Sequence, residues 1–358
     1  MLSVFTHKKI SSIVSVLPSD EVDFKDEIHN YSFPESQNLR LAKVMGFKKR
    51  RISRLGETVS DYANYGIQHL LDEGIIKEEE IGAIFVVTTT ADHFIPPVSN
   101  IIHGHFGFDQ DVICVDISQG CCGYVIGVQQ AFMSLSCLGD KKVLLVTGDL
   151  LTHRISTRDR GSRPITGDAV AISVIENTKE ENTLYCSLKN DGKAAFSVYI
   201  PAGGMRMPIT EETSIEKEDV NGNFRSLNHL VMNGDLVFNF IINEVPNMIE
   251  ELLNFAGEKK ENIEYFLCHQ SSKFTLQKLA DRLEVPRKIM PNDIVEMYGN
   301  SSSATIPVTI CHYFNQLFAE KDFLKVILAG FGIGLTWGGI LCDLTKLDYC
   351  KMIDFPHK

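Results

Sequence analysis

The apolar segments of this chain recur at one fixed spacing. IGAIFVV begins at Ile81 and IEYFLC at Ile263, 182 residues later, and a leucine stands ten residues ahead of each, Leu71 and Leu253. The same step carries Cys121 to Ser303, both in small-residue turns ahead of an apolar helical pattern. It also carries Gly148, closing KKVLLVTG, to Gly330, closing LKVILAG. Landmarks that keep one offset point to two similar halves. The strand segments AIFVV, VLLVTG, YFLC and KVILAG are continuously apolar rather than alternating, the pattern of strands covered by helices on both faces. The expected fold is α/β, with an N-terminal half over residues 1–190 and a C-terminal half over 191–358. Residues 149–166, including the polar TRDRGSRP, are extra material in the first half and form a candidate lid or ligand loop. The polar, Gly- and Glu-rich stretch 201–226 is expected to link the halves.

With 35 Lys and Arg against 46 Asp and Glu, the net charge is −11, which disfavours a general nucleic-acid or anionic-membrane binder. The nine cysteines include no Cys-x-x-Cys, and the adjacent pair Cys121-Cys122 cannot readily close a disulfide. Free thiols fit a reducing compartment. The N-terminus has no apolar run of signal-peptide length, and the uncharged stretches 117–139 and 326–342 carry polar residues or glycines rather than a membrane span. A cytoplasmic protein is expected.

Three residues stand where chemistry is placed in α/β proteins. DVICVDISQGCCGYVIGVQQAF runs from strand through a turn into a helix, which puts Cys121 at a helix N-terminus. Backbone N–H groups and the helix dipole there are expected to lower its pKa and to hold an oxyanion; the alternative is a pair of buried structural cysteines. His269 closes the strand YFLCH, at the end where open sheets place their sites. Asn300, in MYGNSSSATIP, is first of all a turn residue. The repeat raises its standing, since its turn occupies in the second half the place of the cysteine turn in the first. GFGIGLTWGG is not a nucleotide loop, because Trp337 stands where the third glycine belongs; it is a strand that allows close backbone approach. His103 and His105 lack a ligand partner at metal spacing, and no metal is expected.

Cys121, His269, Asn300 and GFGIGLTWG, in this order, resemble the ketoacyl-ACP synthase III branch of the thiolase superfamily. DISQGCCGY resembles that family's nucleophile turn; Asp159-Arg160-Gly161, GDAVA from Gly167 to Ala171, His269-Gln270 and Gly299-Asn300 complete the set. An asparagine as third residue, with TWG after the glycines, sets the chain apart from thiolases, elongating synthases, hydroxymethylglutaryl-CoA synthases and chalcone-synthase-like enzymes. The resemblance implies a thiolase-like fold with α-β-α-β-α layers. It also implies a 3-oxoacyl-ACP synthase acting in fatty-acid or related acyl biosynthesis.

In the implied reaction Cys121 takes an acyl group from an acyl-CoA or acyl-ACP donor. His269 and Asn300 then stabilise the enolate formed when malonyl-ACP loses CO₂, and the backbone N–H groups of Cys121 and Ile333 hold the second oxyanion. No cofactor is implied beyond the CoA or phosphopantetheine thioesters themselves. By the same resemblance Arg160, Gly161, Phe94, Ile95 and Arg40 fall at substrate- or CoA-binding positions. The family's CoA-binding Trp and Arg are replaced here by Arg40 and Val44, and its carrier-docking Arg by Phe274. Phe94 and Ile95 belong to the segment that the family contributes across a homodimer interface. Lys273, Lys278 and Arg282, with Arg287 and Lys288 beyond, form a candidate docking patch for an acidic carrier protein; residues 48–51 form a second. Two other readings stay open: an acyltransferase passing the group from Cys121 to an alcohol, amine or sugar without decarboxylation, and a non-catalytic partner of another synthase.

Overall fold

The computed structural model describes residues 1–313, 324–345 and 347–356. Two sheets of the same design carry the fold. The first runs, from edge to edge, Tyr349–Phe355, Lys8–Pro18, Ala169–Asn177, Lys142–Asp149, Ile81–Val87 and Ile113–Ile117. The second runs Leu2–Thr6, Thr183–Asn190, Thr336–Asp343, Lys325–Gly332 and Tyr265–Cys268. The apolar runs behave as their composition requires: Ile81–Val87 and residues 143–149 are buried along their whole length.

The helices Gly123–Ser134 and Thr305–Tyr313 lie between the sheets and touch strands of both. Val59–Asp72 covers the outer face of the first sheet, and Gly234–Ala256 that of the second with Lys273–Leu283 packed on it. The layers are therefore α-β-α-β-α. One apolar cluster fills the space around the central helices and another lies under each outer layer, which seats the central pair rigidly. The two central helices begin at Gly123 and Thr305, 182 residues apart, so the sequence repeat is the repeat of the fold.

Sheet membership departs from the division expected at residue 190. Thr183–Asn190 belongs to the second sheet, so the chain changes sheets within residues 178–182. The ends are exchanged: Leu2–Thr6 pairs antiparallel with Thr183–Asn190 in the second sheet, and Tyr349–Phe355 pairs parallel with Lys8–Pro18 in the first. Residues 201–226 do not bridge the halves. They follow Thr183–Asn190 and fold back on the 149–166 loop, where Arg225 pairs with buried Asp159 at 2.9 Å. Asp159 also accepts from the N–H groups of Gly161 and Ser162, at 2.8 and 3.3 Å. The loop is thus a fixed wall rather than a free flap.

Candidate active site

The strand Ile113–Ile117 delivers the chain to Cys121, and the helix Gly123–Ser134 begins with Cys122 as N-cap and no side-chain cap. Opposite stands the glycine-rich strand. A Cβ on Gly332 would lie 2.6 Å from Cys121 Cβ and 2.8 Å from Sγ, and one on Gly330 would lie 2.9 Å from Cys122 Cα. The glycines therefore let a backbone edge touch the nucleophile, and the N–H groups of Ile333 and of Cys121 itself both turn toward the sulfur. Gly332→Ala should cut alkylation of Cys121 by iodoacetamide at least tenfold, because a methyl in that contact must displace the sulfur; the modified mass gives the reading.

The helix terminus does not make Cys121 acidic. Burial raises its pKa to about 11; the two N–H groups and the Ser302 hydroxyl pull it down, while the Asp149 charge adds to the rise. The expectation of a lowered pKa fails because burial outweighs the terminus. Tyr124, on the helix that follows, is buried, its hydroxyl 3.1 Å from Ser173 Oγ inside the core.

His269 ends the strand Tyr265–Cys268 and is buried, its Nδ1 2.7 Å from Thr305 Oγ1 and its ring edge-on to Phe331. Burial lowers its pKa to about 4, with the Ser302 carbonyl opposing in part, so the ring is neutral at physiological pH. The unfolded chain, with this histidine near 6.5, binds the extra proton between those values. Stability is therefore full above pH 6.5 and falls as pH drops toward 4. His269→Gln should lose that pH dependence, a difference on the order of 3 kcal/mol between urea titrations at pH 7 and pH 4.

Asn300 is placed by its backbone, with its N–H on Ile165 O at 2.7 Å and its carbonyl taking Gly167 N–H at 3.1 Å. Its Oδ1 accepts from Ser302 N–H at 2.9 Å, which leaves the Nδ2 hydrogens available to the cavity. Cys121, His269 and Asn300 line one cavity of about 400 Å³, together with Phe331, Gly332 and Ile333. Its further walls are mostly apolar, with Leu151, Ile165, Val198, Leu230, Ile241 and the stacked pair Phe238–Phe274, 5.5 Å between ring centroids, and Asp235 and Thr166 among the polar exceptions.

The other expected binding residues sort unevenly. Gly161 lines the cavity. Arg160 lies beside it, its guanidinium 3.2 Å from the centre of the Phe33 ring. Arg40 is exposed, and neither it nor Phe33, the ring under Arg160, lines the cavity. Phe94 and Ile95 are 85 % and 83 % exposed, on the surface away from the cavity lining. Lys273 is paired with Glu296 at 3.0 Å and Arg287 with Asp281 at 2.7 Å; Lys278 and Arg282 are exposed. The patch at residues 48–51 dissolves: Arg50 is buried against Glu27, Lys49 pairs with Glu21 and Arg51 with Asp354.

A family model described as 3-oxoacyl-[acyl-carrier-protein] synthase III matches residues 115–192, and one described as the C terminal of the same synthase matches 253–344. A putative 3-oxoacyl-[acyl-carrier-protein] synthase 3 of Campylobacter jejuni is 30 % identical over 354 residues, 99 % of this chain and 98 % of that protein. This chain belongs to the 3-oxoacyl-ACP synthase III family. A beta-ketoacyl-[acyl-carrier-protein] synthase III of Streptococcus agalactiae is 28 % identical over 337 residues, 94 % of this chain and 99 % of that one. The crystal structure of a 3-oxoacyl-(acyl-carrier protein) synthase from Burkholderia xenovorans superposes with a TM-score of 0.90 at 26 % identity, covering 99 % of both chains. The fold is thiolase-like, and the chain is a condensing enzyme of the synthase III type, a transferase. No described helix is long and apolar enough to cross a membrane.

Ser302, Thr305 and Asp149 also reach the site, and motif reading passed over them. Ser302 has a positive φ of 55°, rare for a residue with a side chain, and lines the cavity with Cys121. The available signal was the repeat: Cys121 maps onto Ser303, one residue away.

Proposed function

We propose that this synthase loads an acyl group from a CoA or carrier-protein thioester onto Cys121 and condenses it with a malonyl thioester as CO₂ leaves. The observation that carries the reading is a pair of donors beside the nucleophile. Asn300 Nδ2 is left free by the Ser302 bond to its Oδ1. The Thr305 hydroxyl has two acceptors in reach, Nδ1 of His269 and the Ser302 carbonyl at 3.0 Å. When it donates to Nδ1, the other ring nitrogen carries the hydrogen. A neutral imidazole and a carboxamide together suit an enolate oxygen, whereas simple acyl transfer needs neither. The N–H groups of Ile333 and Cys121 serve the second oxyanion, on the acyl carbon.

The donor's arm enters past the Arg160 guanidinium and the Phe33 ring, which offer a planar face to a nucleotide. An acidic carrier docks on Lys278 and Arg282, the exposed cations of the helix beside the cavity mouth. A homodimer accounts for the sheet edge Ile113–Ile117, where Ile113 and Val115 are half exposed, and for exposed Phe94 and Ile95. The work is done in the cytoplasm, with thioesters as substrates and no cofactor. The test is intact-protein mass after incubation with acyl-CoA and acyl-carrier donors. An acyl mass on Cys121, lost when malonyl-carrier is added, supports the reading; no adduct with any donor overturns it.

A further inference from the structure

The turn that leads into Cys121 consists of Ser118, Gln119 and Gly120, and both ends of the one long side chain are engaged. Gln119 Oε1 accepts the N–H of Gly120 at 3.1 Å, and its Nε2 donates to Thr336 Oγ1 at 3.2 Å. The buried Thr336 hydroxyl passes its own hydrogen to Asn190 Oδ1 at 2.8 Å. Each donor in this chain has its acceptor. The chain joins the turn after Ile113–Ile117, in the first sheet, to Thr336–Asp343 and Thr183–Asn190 in the second.

Thr336 stands directly across from Gly332 in the pairing of Lys325–Gly332 with Thr336–Asp343, and residues 333–335 form the turn between them. Its hydroxyl fills the inside of that turn, where a Cβ on Gly334 would collide with it. Backbone bonds between Leu335 and Asp191, at 2.9 and 3.1 Å, hang the turn from the end of Thr183–Asn190. The other side of the turn meets the nucleophile. A Cβ on Gly332 would lie 2.6 Å from Cys121 Cβ, and one on Gly120 would lie 2.8 Å from Ile333 Cδ1. Gln119 therefore ties together the two segments that carry the N–H groups of Cys121 and Ile333. It does so without lining the cavity, and a long side chain fixed at both ends gives up its rotamer freedom.

We propose that Gln119 is a positioning residue for the oxyanion site: through Thr336 it sets the spacing between the Ile333 and Cys121 N–H groups. The proposal rests on the reading of those two groups as donors to the acyl oxyanion. Donors aimed at one oxygen are effective when their separation is held before the charge develops. These two belong to segments of different sheets, so the hydrogen bonding within either sheet does not fix their separation; a bond from one sheet to the other does. The consequence is selective. Attack of Cys121 on the donor thioester and attack of the carbanion on acyl-Cys121 both place charge at this oxygen. Loss of CO₂ places it opposite, at His269 and Asn300. Gln119 serves the first two steps and not the third.

The test compares the full-length protein with Gln119→Ala, Thr336→Val and Thr336→Ser; valine keeps the shape of threonine without the hydroxyl, and serine keeps the hydroxyl. Intact mass follows acyl loading from an acyl-CoA. Labelled CO₂ follows decarboxylation of a malonyl thioester in the Cys121→Ala background. Protection from iodoacetamide follows binding of a short aliphatic aldehyde, which adds reversibly: sulfur bonds to the carbonyl carbon, the thiol proton moves to the oxygen, and that oxygen lies at the two N–H groups. Gln119→Ala and Thr336→Val should each load about tenfold more slowly and hold the aldehyde about tenfold more weakly. Thr336→Ser should recover most of both losses, and CO₂ release should be unchanged by Gln119→Ala. The double variant Gln119→Ala/Thr336→Val should lose no more than either single one, because each breaks the same chain. Normal loading by Gln119→Ala overturns the proposal. So does CO₂ release that falls in step with loading, or a Thr336→Ser variant as impaired as Thr336→Val, the marks of a plain structural brace. The aldehyde needs no acyl donor: adducts weakened in both variants, with no loading of the wild type by any thioester, uphold the positioning role and remove the acyl-carrier reading instead.

Discussion

Cys121→Ala abolishes acyl loading and, with it, all condensation, while a malonyl thioester offered alone still releases CO₂. Loading needs the sulfur as the atom that forms the new bond, and no other thiol can replace it: Cys122, one residue on, is wholly buried and lines no part of the cavity. Decarboxylation needs the two donors opposite, and an alanine at 121 leaves His269 on Thr305 and Asn300 on Ser302 untouched. Intact mass reads the first half of this prediction and trapped labelled CO₂ the second. A residual acyl adduct on the variant would mean that the nucleophile lies elsewhere.

The second large effect is the reverse one. His269→Ala or Asn300→Ala should leave Cys121 acylated at near the normal rate, yet lower condensation on the order of 10²–10³-fold for each donor removed. His269 is buried and Asn300 half-buried, and each is held by one short bond, so the developing enolate charge meets donors that need not reorganise. Single-turnover transfer from preloaded acyl-enzyme to malonyl-carrier separates this step from loading. Equal losses in both steps would make the two residues structural supports of Cys121 rather than donors to malonate.

The architecture was legible because burial leaves a simple trace. A strand covered on both faces has nowhere to place polar residues, so its run is continuous, and a duplicated layer repeats the run at fixed spacing. The helix starts at Gly123 and Thr305 keep the offset read from Ile81 and Ile263. The exchanged ends were not legible. Nothing in LSVFT or YCKMIDF states which sheet edge it will join, since an edge strand's partner is chosen by where the chain emerges.

At the site the three chemical residues came from motifs, whereas their surroundings came from contacts formed only in space. Lys49 to Arg51 reads as a basic run, but the segment is a strand, so alternate residues turn inward and Arg50 meets Glu27 in the interior. Lys273 is neutralised by Glu296, 23 residues away, through the packing of two elements. The sign of the Cys121 shift was misread for the same reason: a helix terminus is visible in sequence, and the closeness of Gly332 and Asp149 is not.

The central claim is that sulfur, imidazole and carboxamide act together to form a carbon–carbon bond. It is tested most directly by mixing acyl-enzyme carrying ¹³C at the thioester carbon with malonyl-carrier labelled with ¹⁴C at its free carboxyl. One CO₂ should be released for each acyl group leaving Cys121, and the ¹³C should appear as the ketone carbon of a 3-oxoacyl-carrier product. Acyl groups leaving Cys121 without CO₂, or ¹³C recovered in an ester or amide, would contradict the account.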